Sequence, residues 1–326
     1  MNTQLEPQLA ALAGRQGGVI LRRQALDYGY SDQEIEQLLR DGLWVRIRRG
    51  AYIERAVWDA MDREARHRAT VNAVTLVLEK PAVVSHISAC VMLNLPTWGY
   101  DLSLVHVTRG DLHSPRIEGN VHHHAGAIVD GDITIVDGII VTPPDRTAVD
   151  VACLGGFERG VVVADAAIRL MGGDSDALLR RMDQMRDWRG ARAAGRVTEF
   201  ADGRSESVGE SRNRVLFELN GLPRPQLQVL IVDSITGAVI ARVDYFFEEE
   251  KTIGEFDGRL KYRAVPEDGL SAEDVVWREK RREDALRDQG YEVARSIWDD
   301  LRHPQLVVAR YRRCFERAAK RRAVLV

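Results

Sequence analysis

Cysteine is scarce in this sequence, and long apolar runs are missing. Three cysteines occur among the 326 residues, far apart and without paired spacing, which argues against a disulfide framework or a thiolate metal cluster. No apolar run approaches the ~20 residues that a membrane-spanning helix requires, and the first residues, MNTQLEPQLA, lack the pattern of a signal peptide. We therefore expect a cytoplasmic protein without a membrane partner.

Common nucleotide-binding and hydrolase motifs are absent as well: the chain has no Walker loop, no GxGxxG and no nucleophile elbow. What it does have is 45% apolar and 29% charged residues, with a formal net charge of −3. This composition predicts a globular α/β (α+β) protein with more than one domain. Changes in the sequence pattern place the domains at residues 1–56, 57–200 and 205–326.

The first domain has the pattern of a winged helix-turn-helix. Short helices are expected at residues 4–14 and over RRQALDYGY. A third helix, SDQEIEQLLRDG, has both ends marked, because Ser31 is an N-cap, Glu34 completes a capping box and Gly42 ends the helix. The segment LWVRIRRGAYI then alternates apolar and basic residues and turns at its glycine, as a two-stranded wing does.

In a winged helix the third helix enters the major groove, and wing arginines contact phosphate or the minor groove. The candidate DNA-binding residues are outward side chains of the third helix and arginines of the wing: Gln33, Gln37, Arg40, Arg46, Arg48 and Arg49. Glu36, on the same exposed side, would repel phosphate. The alternative is a small helical cap whose arginines are only solvated.

Residues 57–200 predict a mixed α/β domain, with helices at 57–80 and over VVSHISACVMLNLP, and strands over SLVHVTR and ITIVDGIIVT. The segment HHHAG would place His122 and His124 on one face of a strand. A zinc site requires three or four convergent ligands, and no other residue has a recognisable spacing to these two. The sequence therefore favours a partly exposed strand over a metal site, and a capping or packing role for His86.

The C-terminal third carries a group of acids. After the polar stretch GARAAGRVTEFADGRSES, the sequence predicts a helix with Glu210 near its start and three strands, the last two joined by EEEK. A tight turn centred in EEEK would place Asp244 opposite Glu255, with Asp257 on the same face. Like charges this close require protonation or a cation, and carboxylates suit Mg²⁺ or Mn²⁺. The alternative is an edge strand whose exposed acids need no partner.

These patterns resemble known families. Asp244, ten intervening residues and then Glu255 in an apolar strand, preceded by the acidic helix, resemble the PD-(D/E)XK nuclease core. Residues 205–302 resemble very-short-patch-repair-like endonuclease domains of the actinobacterial type. The first 200 residues, from the winged helix through SHISA to VTPPDRTAVDVA, are similar to AbiEi-type antitoxins.

The nuclease resemblance implies roles for the acids. The implied metal ligands are Asp244, Glu255 and Asp257. Glu210 would position the metal or its water. Asp257 occupies the position where the general pattern has lysine, so either Lys261 or Lys251 supplies that cation or the site binds metal without cutting.

Two hypotheses follow from these resemblances. In the first, a winged helix delivers a Mg²⁺-dependent endonuclease domain to nucleic acid. In the second, the protein is an antitoxin-like repressor that binds its own promoter, has a cognate toxin or a second copy as its partner, and carries an inactive nuclease-like domain. Lys261 separates the two hypotheses, because a lysine that reaches the acids favours the enzyme.

Overall fold

The computed structural model describes residues 5–78, 80–258 and 272–325. The chain divides into two compact units, one formed by Met1–Val163 with Asp176–Glu199 and the other by Ala164–Ser175 with Phe200–Val326. The boundary expected at residue 56 lies inside the first unit, so the three-domain division stays a prediction. None of the helices in the described ranges combines the length and the apolar character that crossing a bilayer requires.

The N-terminal segment is helix-turn-helix-like and ends in a hairpin. Its elements are α1 (Pro7–Arg15), β1 (Ile20–Leu21), α2 (Arg22–Asp27), α3 (Asp32–Arg40), β2 (Trp44–Arg48) and β3 (Ala51–Glu54). The Ser31 hydroxyl accepts a hydrogen bond from the Glu34 N–H, and Glu34 Oε2 accepts one from the Ser31 N–H at 2.8 Å. The predicted capping box of α3 is therefore confirmed. Gly42, with a φ of +71°, follows the helix as predicted.

The strands of this segment form an antiparallel sheet in the order β1-β3-β2, and both of its faces are covered. Two helices follow it, α4 (Arg55–Ala60) and α5 (Arg63–Thr75), where one helix was expected. They are separate because Met61 ends the first and Asp62 caps the second. On one face of the sheet Trp44 packs with Ile35 of α3, and on the other Ile53 packs in a cluster with residues of α5. The wing is thereby fixed within the first unit.

A six-stranded mixed sheet forms a second core in the first unit. Its elements are β4 (Val83–Val84), α6 (His86–Met92), β5 (Val105–Arg109), β6 (Arg116–Glu118), β7 (Val121–Ala125), β8 (Thr134–Val136) and β9 (Ile139–Val141). The strand order is β6-β7-β5-β4-β9-β8. Strands β5 and β7 are parallel, as are β4 and β9, while the other neighbours are antiparallel. Val84, Val107 and Val121 pack on Val71 and Val74 of α5.

Four helices follow this sheet: α7 (Pro144–Cys153), α8 (Phe157–Leu170), α9 (Ser175–Gln184) and α10 (Ala191–Phe200). The polar stretch GARAAGRVTEFADGRSES contains α10. This segment is a helix because Ala194, Val197 and Phe200, spaced by three, bury one side of it. Asp145 lies in the first turn of α7, where its carboxylate contacts Arg181 at 2.9 Å.

The second unit is built around a four-stranded sheet. Its elements are α11 (Val208–Leu219), β10 (Gln226–Val232), β11 (Val239–Phe247), β12 (Thr252–Asp257), α12 (Ala272–Asp288), β13 (Glu292–Ile297), a 3-10 turn (Asp300–Arg302) and α13 (Pro304–Leu325). The strand order is β10-β11-β12-β13, with only the last pair parallel. Phe217, Tyr245 and Tyr311 form one core between the sheet and helices α11 and α13. Ile253 and Leu286 belong to a second core that includes α12.

The hairpin of β11 and β12 has the predicted register. Tyr245 pairs with Gly254 and Phe247 with Thr252. The turn contains the four residues between the strands rather than two. Because the longer turn is symmetrical about the same point, it leaves the pairing of the strands unchanged.

Candidate functional site

The exposed face of α3 carries the side chains predicted to face DNA bases. Gln33 and Arg40 are exposed, and Gln37 is half-buried. Arg40 Nη2 donates to Gln37 Oε1 at 2.7 Å, and Gln37 Nε2 donates to Asp41 Oδ1 at 2.6 Å. Glu36 lies 3.8 Å from Arg40, which offsets part of its negative charge. The face therefore presents linked amide and guanidinium groups to solvent.

The wing turns two of its three arginines toward solvent. Arg46 and Arg49 are exposed. Arg48 is half-buried, its Nη1 is buried with no hydrogen-bond partner in the described part of the chain, and burial lowers the pKa of its guanidinium. Arg46 and Arg48 pair with adjacent residues of β3, so Ile47 is an extra residue, and this β-bulge interrupts the expected alternation. The prediction that Arg48 faces outward is corrected, while contact of Arg46 and Arg49 with DNA stays a prediction.

In the second unit, Glu210 and Asp244 converge on one amide group. Gln228 Nε2 lies 3.2 Å from Glu210 Oε2 and 3.3 Å from Asp244 Oδ1. Gln228 has a φ of +54°, a left-handed conformation that is costly for a residue other than glycine. Burial raises the pKa of Glu210, and the nearby charge of Asp244 adds to the increase. The Gln228 amide therefore donates hydrogen bonds to two carboxylates whose negative charges repel each other.

Both acids also hold the backbone around them. The Ser207 hydroxyl donates to Glu210 Oε1 and the Glu206 N–H donates to Oε2, each at 2.8 Å, so Glu210 stabilises the start of α11. Asp244 Oδ2 accepts a hydrogen bond from the Phe256 N–H at 2.8 Å, which joins β11 to β12. These contacts give both carboxylates a structural role that needs no metal.

Glu255 is neutralised by two arginines. Arg282 Nη2, on α12, lies 2.6 Å from Glu255 Oε1, and Arg295 Nε, on β13, lies 3.2 Å from Oε2. Arg295 occupies the position next to Glu255 in the parallel pair of β12 and β13. Burial raises the pKa of Glu255, and the charges of the two arginines oppose that increase. Guanidinium groups therefore balance this acid, in the place where the sequence predicted a cation.

Asp257 ends β12 and is half-buried. Lys261, its proposed partner, lies outside the described residues. Lys251 lies at the opposite end of β12, with Nζ 5.9 Å from the centre of the Tyr291 ring. Since β12 is roughly 20 Å long, Lys251 does not take the role of the missing lysine beside Asp257.

The predicted metal ligands do not form a chelate as placed. Within the described ranges, no three of the predicted acids have ligand oxygens within 4.8 Å of one another. Asp244 accepts from a backbone N–H, and both oxygens of Glu255 face arginines. The donor set therefore does not fit Mg²⁺ or Mn²⁺, which require several free carboxylate oxygens around one ion.

A cluster of four histidines, which the sequence alone did not predict, lies in the first unit. His106 is directly opposite His122 in the parallel pair of β5 and β7. His106 Nδ1 lies 2.9 Å from His124 Nε2, and the rings of His86 and His124 stack with their centres 3.6 Å apart. The signal in the sequence was the HHH segment itself. The missing information was the strand pairing that brings His106 beside it.

Comparison with known proteins identifies the N-terminal segment. Residues 7–54, from α1 to β3, match the family described as "Transcriptional regulator, AbiEi antitoxin". The expected similarity to AbiEi-type antitoxins is confirmed over these residues. The similarity of the C-terminal third to PD-(D/E)XK nucleases stays a prediction.

Two similar proteins come from Mycobacterium tuberculosis, strains CDC 1551 / Oshkosh and ATCC 25618 / H37Rv. Each is 29% identical to this chain over 238 residues, which are 72% of this chain and 83% of the relative. Both bear the description "Uncharacterized protein". They show that the similarity extends well beyond the N-terminal segment, and they assign no activity.

Proposed function

We propose that this protein is a cytoplasmic, DNA-binding transcriptional regulator of the AbiEi antitoxin type. The observation that carries the proposal is the match of residues 7–54 to that family. The same residues form a helix-turn-helix-like segment whose third helix, α3, has an exposed polar face. In this proposal α3 enters the major groove of duplex DNA, as the third helix of a winged helix does.

Different side chains contact the bases and the phosphates. Gln33 and Gln37 carry amides that both donate and accept hydrogen bonds, which is the chemistry that reads base edges. Arg46 and Arg49 contact phosphates and supply the part of the affinity that depends on salt. An antitoxin also acts with a cognate toxin, and the family match of the N-terminal segment supports such a partner.

The test is fluorescence anisotropy with two duplexes of equal length, one from the promoter upstream of the coding sequence and one with that sequence scrambled. We expect the full chain to prefer the promoter at least tenfold. The double variant Arg46→Ala, Arg49→Ala should weaken binding to both duplexes and reduce the slope of log K against log salt by about 2. Gln33→Ala should weaken binding to the promoter alone.

The matched control is Arg186→Ala, which removes an exposed arginine outside residues 7–54. It should leave both affinities and the salt slope unchanged. Equal affinities of the wild type and the wing double variant, over a range of salt concentrations, would overturn the proposal.

We propose metal-dependent hydrolysis of phosphodiesters as a second candidate function. What supports it is the predicted resemblance of the C-terminal sequence to the PD-(D/E)XK core, in a unit whose elements include α11, β10–β12, α12 and the parallel strand β13. Asp244 and Glu255 lie on adjacent strands of that core, as in the family pattern. Because the carboxylates as placed do not fit Mg²⁺ or Mn²⁺, no catalytic step is assigned to the ion. The candidate catalytic residues are Glu210, Asp244, Glu255, Asp257 and Lys261.

A plasmid assay separates the two candidates. The full chain is incubated with supercoiled plasmid at low salt with Mg²⁺, Mn²⁺ or EDTA, alongside Asp244→Asn and Glu249→Gln. Glu249 is an exposed acid in the turn that follows β11. Metal-dependent nicking that Asp244→Asn abolishes and Glu249→Gln retains would establish the nuclease. DNA binding without nicking in either metal would leave the regulator alone.

A further inference from the structure

The parallel pairing of β5 and β7 places three histidines on one face of the six-stranded sheet. His106 pairs with His122, and Thr108 pairs with His124. Side chains of directly paired residues point to the same face, so His106, His122 and His124 share one side. His123 points to the opposite side, where its Nε2 lies 3.6 Å from Glu118. His122 and His124 thus contribute two rings to the cluster, whereas the ring of His123 lies on the opposite face of the sheet.

The distances within the cluster are those of converging ligands. Each of the three histidines offers a ring nitrogen, and these nitrogens lie within 4.8 Å of one another. His106 Nδ1 and His124 Nε2 are 2.9 Å apart. Two imidazole nitrogens bound to one tetrahedral zinc ion, at about 2.0–2.1 Å each, would be about 3.3 Å apart. The two nitrogens are within hydrogen-bonding distance, so an ion bound by both would replace that contact and widen the pair by a few tenths of an ångström.

Two serine hydroxyl groups lie beside the cluster. Ser88 Oγ accepts a hydrogen bond from the His106 backbone N–H at 2.8 Å, and it also lies 2.8 Å from His67 Nε2. Ser85 Oγ lies 2.9 Å from His86 Nδ1 and accepts a hydrogen bond from the Thr108 hydroxyl. These contacts hold the backbone of β5 and the ring of His86 beside the cluster.

His86 adds a strained contact to the same cluster. It has a φ of +51°, a conformation that residues other than glycine rarely adopt. In this conformation its ring stacks on His124. Backbone strain of this kind persists only where surrounding contacts hold it, and it is concentrated at functional sites.

Two rings of the cluster are partly shielded from solvent. Burial lowers the pKa of His106 to about 4 and that of His124 to about 3, and the neighbouring imidazoles add to both decreases. His122 and His124 are each only half-buried, which leaves the cluster open to solvent on one side.

We propose that His106, His122 and His124 bind one divalent transition-metal ion of the zinc class. Three imidazole nitrogens suit zinc and its neighbours in the first transition row, and they do not suit Mg²⁺ or Ca²⁺, which take oxygen ligands. His86 is a positioning residue that holds the His124 ring. The side open to solvent provides the fourth coordination position, as in sites where a metal keeps a water or accepts a ligand.

The first experiment measures zinc binding by the full chain. The protein is stripped with EDTA, dialysed and titrated with Zn²⁺ in competition with a chromophoric chelator. We expect one ion per chain, with His122→Ala and His124→Ala each weakening binding at least tenfold. His123→Gln, on the opposite face of the same strand, and His113→Ala, an exposed histidine, should bind as the wild type does.

The second experiment uses Co²⁺ as a visible probe and does not depend on loss of binding. His122→Cys keeps a ligand at the half-exposed position but replaces nitrogen with sulfur. It should retain metal binding and gain a thiolate-to-cobalt charge-transfer band that the wild type lacks. Circular dichroism of each variant confirms that it is folded before binding is scored.

Three results would overturn the proposal. The first is that the folded wild type retains no Zn²⁺ at equimolar concentration. The second is that the double variant His122→Ala, His124→Ala binds Zn²⁺ as tightly as the wild type. The third is that His122→Cys with Co²⁺ bound shows no new absorption band. Each of these would make the cluster a set of neutral, packed imidazoles.

Discussion

Arg146 is an arginine enclosed by the protein, with 2% of its surface exposed. Its Nη1 donates to Asp132 at 2.8 Å and its Nε donates to Asp150 at 3.0 Å. The guanidinium carbon lies 4.3 Å from the centre of the Trp188 ring. Removing a charge from water costs several kcal/mol, so such a residue is stable only with partners of this kind. Burial raises the pKa of Asp150 to about 6, although the charge of Arg146 opposes the increase.

Because the pKa of Asp150 is raised, we expect the stability of the folded protein to depend on pH. Its pKa in the folded protein, about 6, is above its ordinary value of 3.8, so the folded state holds the proton more tightly. The stabilising contribution is fully present below 3.8 and is lost as the pH rises through about 6. We expect it to lower the free energy of unfolding by roughly 1–3 kcal/mol over that window. Urea denaturation of the wild type and of Asp150→Asn at pH 4, 5 and 6 measures it.

The control for this prediction is Asp187→Asn, because the Asp187 side chain is 94% exposed. Its pH profile should parallel that of the wild type, while the profile of Asp150→Asn should be flatter. If the profiles of Asp150→Asn and the wild type coincide, Asp150 does not titrate in this range.

A second residue-scale prediction concerns Glu255. Glu255→Gln removes one of the carboxylates that face Arg282 and Arg295, but Glu279 still contacts both arginines and the raised pKa of Glu255 favours a neutral side chain at this position, so we expect the free energy of unfolding to change by less than about 1 kcal/mol. The measurement is chemical denaturation of the full chain, with Glu249→Gln as the control that removes an exposed acid from the adjoining turn. A loss of more than about 2 kcal/mol relative to Glu249→Gln would show that Glu279 does not compensate for the missing charge. The free energy of unfolding therefore measures the contribution of Glu255 to the fold independently of any cleavage of DNA.

At the scale of elements, α3 depends on its first residue. The Ser31 hydroxyl and the Glu34 carboxylate satisfy backbone N–H groups that the start of a helix leaves without partners. We expect Ser31→Ala to lower the free energy of unfolding by about 1 kcal/mol and to weaken promoter binding. Ser31→Asp should retain both, because aspartate is also a good N-cap. A cap contribution would be excluded if the alanine and aspartate variants unfolded alike.

The two hairpins show what local pattern determines and what it does not. The register of β11 and β12 follows from a turn that is symmetrical between two apolar strands, so sequence alone predicts which residues face each other. The wing has the same kind of pattern, but a bulge at Ile47 reverses the alternation and turns Arg48 inward. A bulge leaves little trace in a sequence, since it inserts one residue of ordinary type.

At the scale of the whole molecule, the chain forms two compact units, and the segment matched to the antitoxin family lies in the first. We expect DNA affinity to depend on that unit. Asp244 lies in the second unit, outside the matched segment, so Asp244→Asn should change promoter affinity less than twofold. The wing double variant should reduce it much more. A large effect of Asp244→Asn would mean that the second unit itself holds DNA.

The sequence by itself determined the features that depend on neighbours along the chain. The capping box of α3, the helical and strand character of most segments and the register of β11 with β12 each rest on residues a few positions apart. Their free energies come from local hydrogen bonds and from the period of apolar residues, and both can be read directly from the order of the residues.

Contacts between side chains that are distant in the sequence follow from the way the strands and helices assemble. Glu255 faces Arg282 and Arg295 because α12 and β13 return to the edge of the sheet beside β12. His106 meets His124 because β5 and β7 pair in parallel. Such contacts depend on the order of strands in the sheet, which is set by burial of apolar faces over the whole unit and by no spacing within the sequence.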